Sequence, residues 1–271
     1  MQTAFVPDRV QIAEASGVLT FTLNRPDAGN EIDGPMFDAM RAALAAAAAS
    51  SGPRVLRVRA SGAVFCTGRE RAGTDAASMR AEVARLIDLK RTLRATSMIT
   101  IAEVQGDAHG FGMGLAMLCD FTLVSSSATL AFPEMRKGLP PAAIMAYLNR
   151  YALPKTTFPL VLFGDRFTPA QALAAGLVSE VCEPGALAAR GDALVDRILA
   201  LDADGARHCK AFFQSAQEAT LEQNFRHATE ALVVDSLRLR DAARKLTPST
   251  PRAAEHRASN RFDPCEIWRQ A

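Results

Sequence analysis

A chain of 271 residues that is 49% hydrophobic is long enough to bury one large core or two smaller ones. Its 31 basic and 29 acidic residues nearly cancel, to a net +2, and the basic ones are scattered among acids and alanines, which argues against a face that tracks nucleic acid. Five cysteines, at 66, 119, 182, 209 and 265, are odd in number and contain no C-x-x-C pair, which argues against a disulfide framework or a zinc site and for a reducing cytoplasm.

The N-terminal MQTAFVPDRVQIAEAS has no basic stretch followed by an apolar one, so no secretory signal is expected. Val10 to Ile12 and Val18 to Leu23 flank Ser16-Gly17 and predict a hairpin. A helix follows, with Asp33 as N-cap, Pro35 in its first turn, and Met36, Phe37, Met40 and Leu44 on one face. Residues 42–51 are alanine-rich and uncharged but too short to span a bilayer, so no membrane partner is expected. Val55 to Val58 predicts a strand, Met79, Val83, Leu86 and Leu93 a second amphipathic helix, and Met98 to Val104 a buried strand. A short helix after Gly112 and strands at 121–124 and 129–132 continue the alternation, which implies parallel strands joined by right-handed crossovers. Thr168, Pro169 and Gly176 supply a cap, a first-turn proline and a terminating glycine. Beyond Pro184 the pattern is wholly helical, which predicts an α/β core over residues 1–195 and a C-terminal helical region over 196–271.

Residues 109–114, HGFGMG, place glycines at alternate positions between the strand ending at Val104 and the next helix. Such a turn frees the first amides of the helix, which have no intrahelical partner and sit at the positive end of its dipole. Two anions fit: a permanent pyrophosphate, as in a nucleotide-binding oxidoreductase, or an oxyanion that forms transiently on a substrate carbonyl. The spacing is not G-x-G-x-x-G and no acidic residue closes a following strand at the offset of about 20 residues, which disfavours the first. The second needs another donor from a separate loop. Residues 61–70 provide a glycine turn after the strand at 55–58, at a strand end where α/β folds bind ligands.

Asn24-Arg25-Pro26 with Asn30, Phe65-Cys66-Thr67-Gly68, Val104-Gln105-Gly106 through Gly112 and Leu115-Ala116 to Cys119-Asp120, Phe132-Pro133-Glu134 with Gly138, and Ala174 through Val181 occur in that order. Together they resemble the enoyl-CoA hydratase/isomerase, or crotonase, family, over residues 10 to about 185. The resemblance implies a crotonase-like α/β spiral of strand-strand-helix turns, with C-terminal helices that pack in trimers, often paired into hexamers. It implies an acyl-CoA substrate, with coenzyme A as part of the thioester and no permanently bound cofactor. The backbone N–H of Arg69 and that of Phe111 would form an oxyanion hole, and Glu134 would be the acid/base group. Arg25, Ala28, Cys66, Gly68, Arg69, Glu70, Arg71, Phe111 and Gly114 would line the substrate and its CoA.

Many hydratases of the family carry two glutamates, and the first of these positions is Gly114 here. A single carboxylate suffices to move a double bond by a proton shuttle, whereas hydration asks for more, so isomerisation ranks above hydration, hydrolysis or decarboxylation. A degenerate member that only binds CoA esters is the remaining alternative. Each residue also has a plainer role: Glu134 as a solvated or capping carboxylate, Arg25 as a brace of its turn, His109 as a structural loop histidine, Cys66 and Cys119 as small core residues. Glu70 and Arg71 are expected to alter the acyl pocket, while Glu103 and Asp107 have no assignable role.

Overall fold

The computed structural model describes residues 9–48, 52–71 and 73–246. Strands β1 (Val10–Ala15) and β2 (Val18–Leu23) pair antiparallel around Ser16 and Gly17, whose φ values of 51° and 77° are the left-handed pair that a two-residue hairpin turn requires. Helix α1 (Gly34–Ala48) starts where Asp33 Oδ1 accepts the Met36 N–H at 2.9 Å, and it buries Met36, Phe37, Met40 and Leu44. Then come β3 (Val55–Ala60), α2 (Ala76–Ala95), β4 (Ile99–Val104), the two-residue β5 (Ala108–His109), α3 (Phe111–Leu118), β6 (Phe121–Ser125) and β7 (Leu130–Ala131). A 3-10 helix, Pro133–Lys137, leads to α4 (Ala142–Leu148), α5 (Pro154–Phe163), β8 (Arg166–Phe167), α6 (Pro169–Ala174) and β9 (Glu180–Cys182). The described chain ends in α7 (Leu187–Leu199), α8 (Ala203–Ala216) and α9 (Leu221–Leu246).

The main sheet has the order β1-β2-β3-β4-β6-β9, parallel from β2 onward, and β5-β7-β8 form a small second sheet. Both faces of the main sheet are covered, as parallel sheets demand. Leu56, Ala102 and Val124 belong to one apolar cluster with α1 and α3, whereas Val55, Ile101 and Leu123 belong to another with Val195 and Ile198 of α7. This two-sided burial is why β4 reads as a continuous apolar run. Its one interruption, Glu103, is 2% exposed and ion-paired to Arg57 at 2.6 Å and Arg59 at 3.1 Å on the neighbouring strand, a structural role the sequence left unassigned.

One expectation is corrected. In α2 the buried residues are Leu86, Leu89, Lys90 and Leu93, whereas Met79 and Val83 are exposed. The described residues group into one compact unit through Ala219 and a second from Thr220. The reason lies in two side chains from the first half of the fold and from α8. Arg54 donates to the carbonyls of Ile198, Leu199 and Leu201 at the end of α7, and Lys210 of α8 donates to Asp120 Oδ2 and to the Met98 carbonyl, both at 2.6 Å. Helices α7 and α8 are thereby fastened to the sheet.

Candidate functional site

The parallel sheet sends the chain out of β3 and β4 at the same edge, so the loops 61–71 and 105–110 leave side by side. Side-chain amides hold the first loop in place: Asn30 donates to the carbonyls of Ser61 and Val64, and Gln105 to those of Ala60, Gly62 and Val64. A bridge between Cys66 and Ala108, with the His109 N–H on the Cys66 carbonyl at 2.9 Å, then joins the two loops.

That bridge explains the central glycine of HGFGMG. A Cβ on Gly112 would lie 2.1 Å from the Cys66 carbonyl oxygen and 2.6 Å from its Cβ, so only glycine lets the loops meet. Gly110, with φ 51°, turns the chain from β5 into α3. On the other side β5 pairs with β7, the Gly110 N–H donating to the Ala131 carbonyl at 2.9 Å. Three residues later the 3-10 helix presents Glu134, whose Oε1 lies 2.8 Å from where a Gly110 Cβ would be.

Two amides are left over by this stitching. Where residue 69 meets Ile32, the ladder uses the Gly68 carbonyl and the Glu70 N–H, so the Arg69 N–H points off the opposite edge. Phe111 is the first residue of α3, where an amide has no partner within the helix. Both residues border one cavity of about 530 Å³, together with Glu134, within the size range of small-molecule sites. Burial raises the Glu134 carboxyl above its ordinary 4.5, with Lys90, Arg71 and Lys137 opposing, and its Oε2 is buried without a hydrogen-bond partner among the described residues.

Of the residues expected at the site, Gly68, Arg69, Arg71, Phe111 and Glu134 border the cavity. Arg25, Ala28, Cys66, Glu70 and Gly114 do not. Arg25 spends its guanidinium on the Glu31 carbonyl, Glu70 and Asp33, which makes it a brace of its turn, and Ala28 lies exposed in a 3-10 turn at 26–28. Cys66 is fully buried, and burial pushes its thiol up to about 12. Cys119 is pushed to the same value by burial, so both thiols sit in the core as inert groups. The Arg69 side chain turns to Glu82 on α2. His109 borders no part of the cavity and stands 3.8 Å from Asp107.

Gly114 is sealed rather than open. The Tyr147 hydroxyl donates to its carbonyl at 2.7 Å and lies 2.7 Å from where a Cβ would be, so a longer side chain has no room. Behind Tyr147 stands Lys90, also at the cavity, which sequence reasoning passed over. A signal existed: Lys90 interrupts the apolar stripe of α2 between Leu86 and Leu93, at the helical spacing that puts it on the buried face. The segment 139–144 had no such signal, because it reaches the cavity from an element far along the chain.

A sequence model of the enoyl-CoA hydratase/isomerase family matches residues 13–242. The probable enoyl-CoA hydratase echA6 of Mycobacterium leprae is 33% identical over 133 residues, 48% of this chain and 53% of that protein, so this match spans about half the length of that relative. The 2,3-dehydroadipyl-CoA hydratase of Escherichia coli K12 is 30% identical over 212 residues, 77% of this chain and 80% of that one. Among solved structures, the enoyl-CoA hydratase of Mycobacterium smegmatis superposes with a TM-score of 0.80 at 27% identity, covering 84% of this chain and 90% of that one. A putative enoyl-CoA hydratase from Thermobifida fusca YX, solved in complex with CoA, shares the fold with a TM-score of 0.79 at 24% identity, covering 86% and 95%.

Proposed function

The chain belongs to the enoyl-CoA hydratase/isomerase family, and from that membership we propose that its cavity takes the acyl part of a CoA thioester and moves a double bond within it. The observation that supports the reading is that Arg69, Phe111 and Glu134 border one cavity, the first two with backbone N–H groups that no acceptor takes among the described residues. The thioester carbonyl oxygen is received by the two amides. The Glu134 carboxylate removes a proton from the carbon between that carbonyl and a β,γ double bond. The electron pair moves onto the carbonyl oxygen, giving a dienolate whose charge the amides hold, each donor contributing about 3 kcal/mol. The glutamic acid then returns its proton to the γ carbon, the double bond becomes α,β, and Glu134 is again a carboxylate.

A second reading, addition of water to an α,β double bond, is favoured by the hydratase names of the relatives, while Gly114 supplies no second carboxylate for it. One experiment separates the two. A panel of enoyl-CoA thioesters in deuterated water, read by chromatography with mass spectrometry, gives the α,β isomer without gain of water for isomerisation, and gain of water for hydration. Deuterium enters the isomer only as far as the Glu134 carboxyl exchanges before returning its proton. Glu134→Gln is expected to abolish either reaction while CoA-ester binding stays within a few-fold. Full activity in that variant removes Glu134 from the mechanism.

A further inference from the structure

A buried lysine in the cavity wall has no carboxylate in ion-pair contact among the described residues. Lys90 is 5% exposed, and its Nζ lies 4.6 Å from the Tyr147 ring centroid and 5.4 Å from that of Phe111. Two of its three hydrogens have acceptors, the Tyr147 hydroxyl at 2.9 Å and the Ala143 carbonyl at 3.2 Å, and both are neutral. Tyr147 gives its own proton to the Gly114 carbonyl, so it is committed to accepting from Lys90. Lys90 forms no ion pair among the described residues, although Glu134 attracts it and Arg69 repels it at longer range.

Buried charges are ordinarily paired, because removing an ion from water costs free energy that a partner must offset. The two aromatic faces hold the ammonium by cation–π attraction but cannot neutralise it. Burial accordingly depresses Lys90 to about 7. The surrounding wall, with Val83, Leu86 and Ile144, suits methylene groups. A purely hydrocarbon acyl chain would offer Nζ no further acceptor.

Resting on the acyl-CoA reading above, we propose that Lys90 is a specificity-determining residue whose free Nζ hydrogen receives a carboxylate carried on the acyl chain, so that the site selects dicarboxylic acyl-CoA thioesters over alkyl thioesters of equal length. A charged partner is inferred rather than another neutral oxygen because neutral oxygens already serve the other two hydrogens and no carboxylate of the described residues is in ion-pair contact with Nζ. A carboxylate within hydrogen-bond reach favours the protonated lysine, so the ligand restores the charge that burial suppresses.

Saturated thioesters test this by binding alone, with no turnover. Titration calorimetry of the full chain with adipoyl-CoA against hexanoyl-CoA, and glutaryl-CoA against pentanoyl-CoA, is expected to show at least one carboxylated ligand held about tenfold or more tightly than its alkyl match, the range of a charge-assisted hydrogen bond. Lys90→Met, which keeps the chain length and removes the charge, is expected to abolish that preference without weakening the alkyl ligand. Equal affinities in the unaltered protein, or a preference that survives in Lys90→Met, overturn the proposal and leave the acyl-CoA reading standing. Absence of binding by all four thioesters overturns the acyl-CoA reading, and this inference with it. The comparison within the unaltered protein decides the matter even where the variant folds poorly.

Discussion

Glu134 shows how one residue's surroundings set its chemistry. Desolvation raises its carboxyl above 4.5, so on acidification it takes up a proton and ceases to be a base at a higher pH than a solvated glutamate would. The acid limb of kcat/KM is therefore expected above the ordinary carboxylate range, with activity rising as pH rises through it. A limb at or below 4.5 contradicts the assignment. The stability sign runs the other way, since a raised carboxyl favours the fold once protonated and costs it stability once ionised. Gly110 controls the same carboxylate from the opposite side. With φ 51° and Glu134 Oε1 2.8 Å from its missing Cβ, Gly110→Ala is expected to lower kcat by at least about tenfold, because small displacements of a catalytic group are costly. Unchanged kcat in that variant shows that the turn tolerates a methyl group and that Glu134 is not positioned by it.

At the scale of elements, the site depends on pairings two residues long. Strands β5 and β7 and the Cys66–Ala108 bridge carry too few hydrogen bonds to form alone, and they persist because α3 is clamped beneath them through Gly112. Gly112→Ala is expected to force the Cys66 loop away, lowering the melting temperature and abolishing activity together; an active, normally stable variant refutes the clamp. Helix α6 offers a contrast remote from the cavity. Thr168 accepts the Gln171 N–H and Gln171 accepts the Thr168 N–H, a reciprocal cap that the Thr-Pro start and the Gly176 stop announce. Thr168→Ala is expected to cost about 1 kcal/mol in denaturant unfolding with kcat unchanged.

Across the whole molecule, large apolar side chains remain exposed on α5 (Phe158, Phe163), on α8 (Phe213) and along α9 (Phe225, Leu232, Leu239). We propose that assembly covers these side chains. Assembly into trimers or pairs of trimers accords with the resemblance, and light scattering is expected to return the mass of three or six chains; a monomer at micromolar concentration counts against it. The sequence by itself determined the hairpin, the capped apolar face of α1, the alternation that makes the sheet parallel, and the two glycine turns that bring Arg69 and Phe111 to one edge. Those features are written in local spacing and in backbone freedom, which neighbouring residues settle among themselves. Only the tertiary structure decided that α7 and α8 are fastened to the sheet by Arg54 and Lys210, that Gly114 is closed by Tyr147, that the Arg25 guanidinium meets Glu70, and that a lysine borders the cavity. Each of these depends on a partner tens of residues away, and the burial that gives Lys90 its meaning comes into being only when distant surfaces close around it.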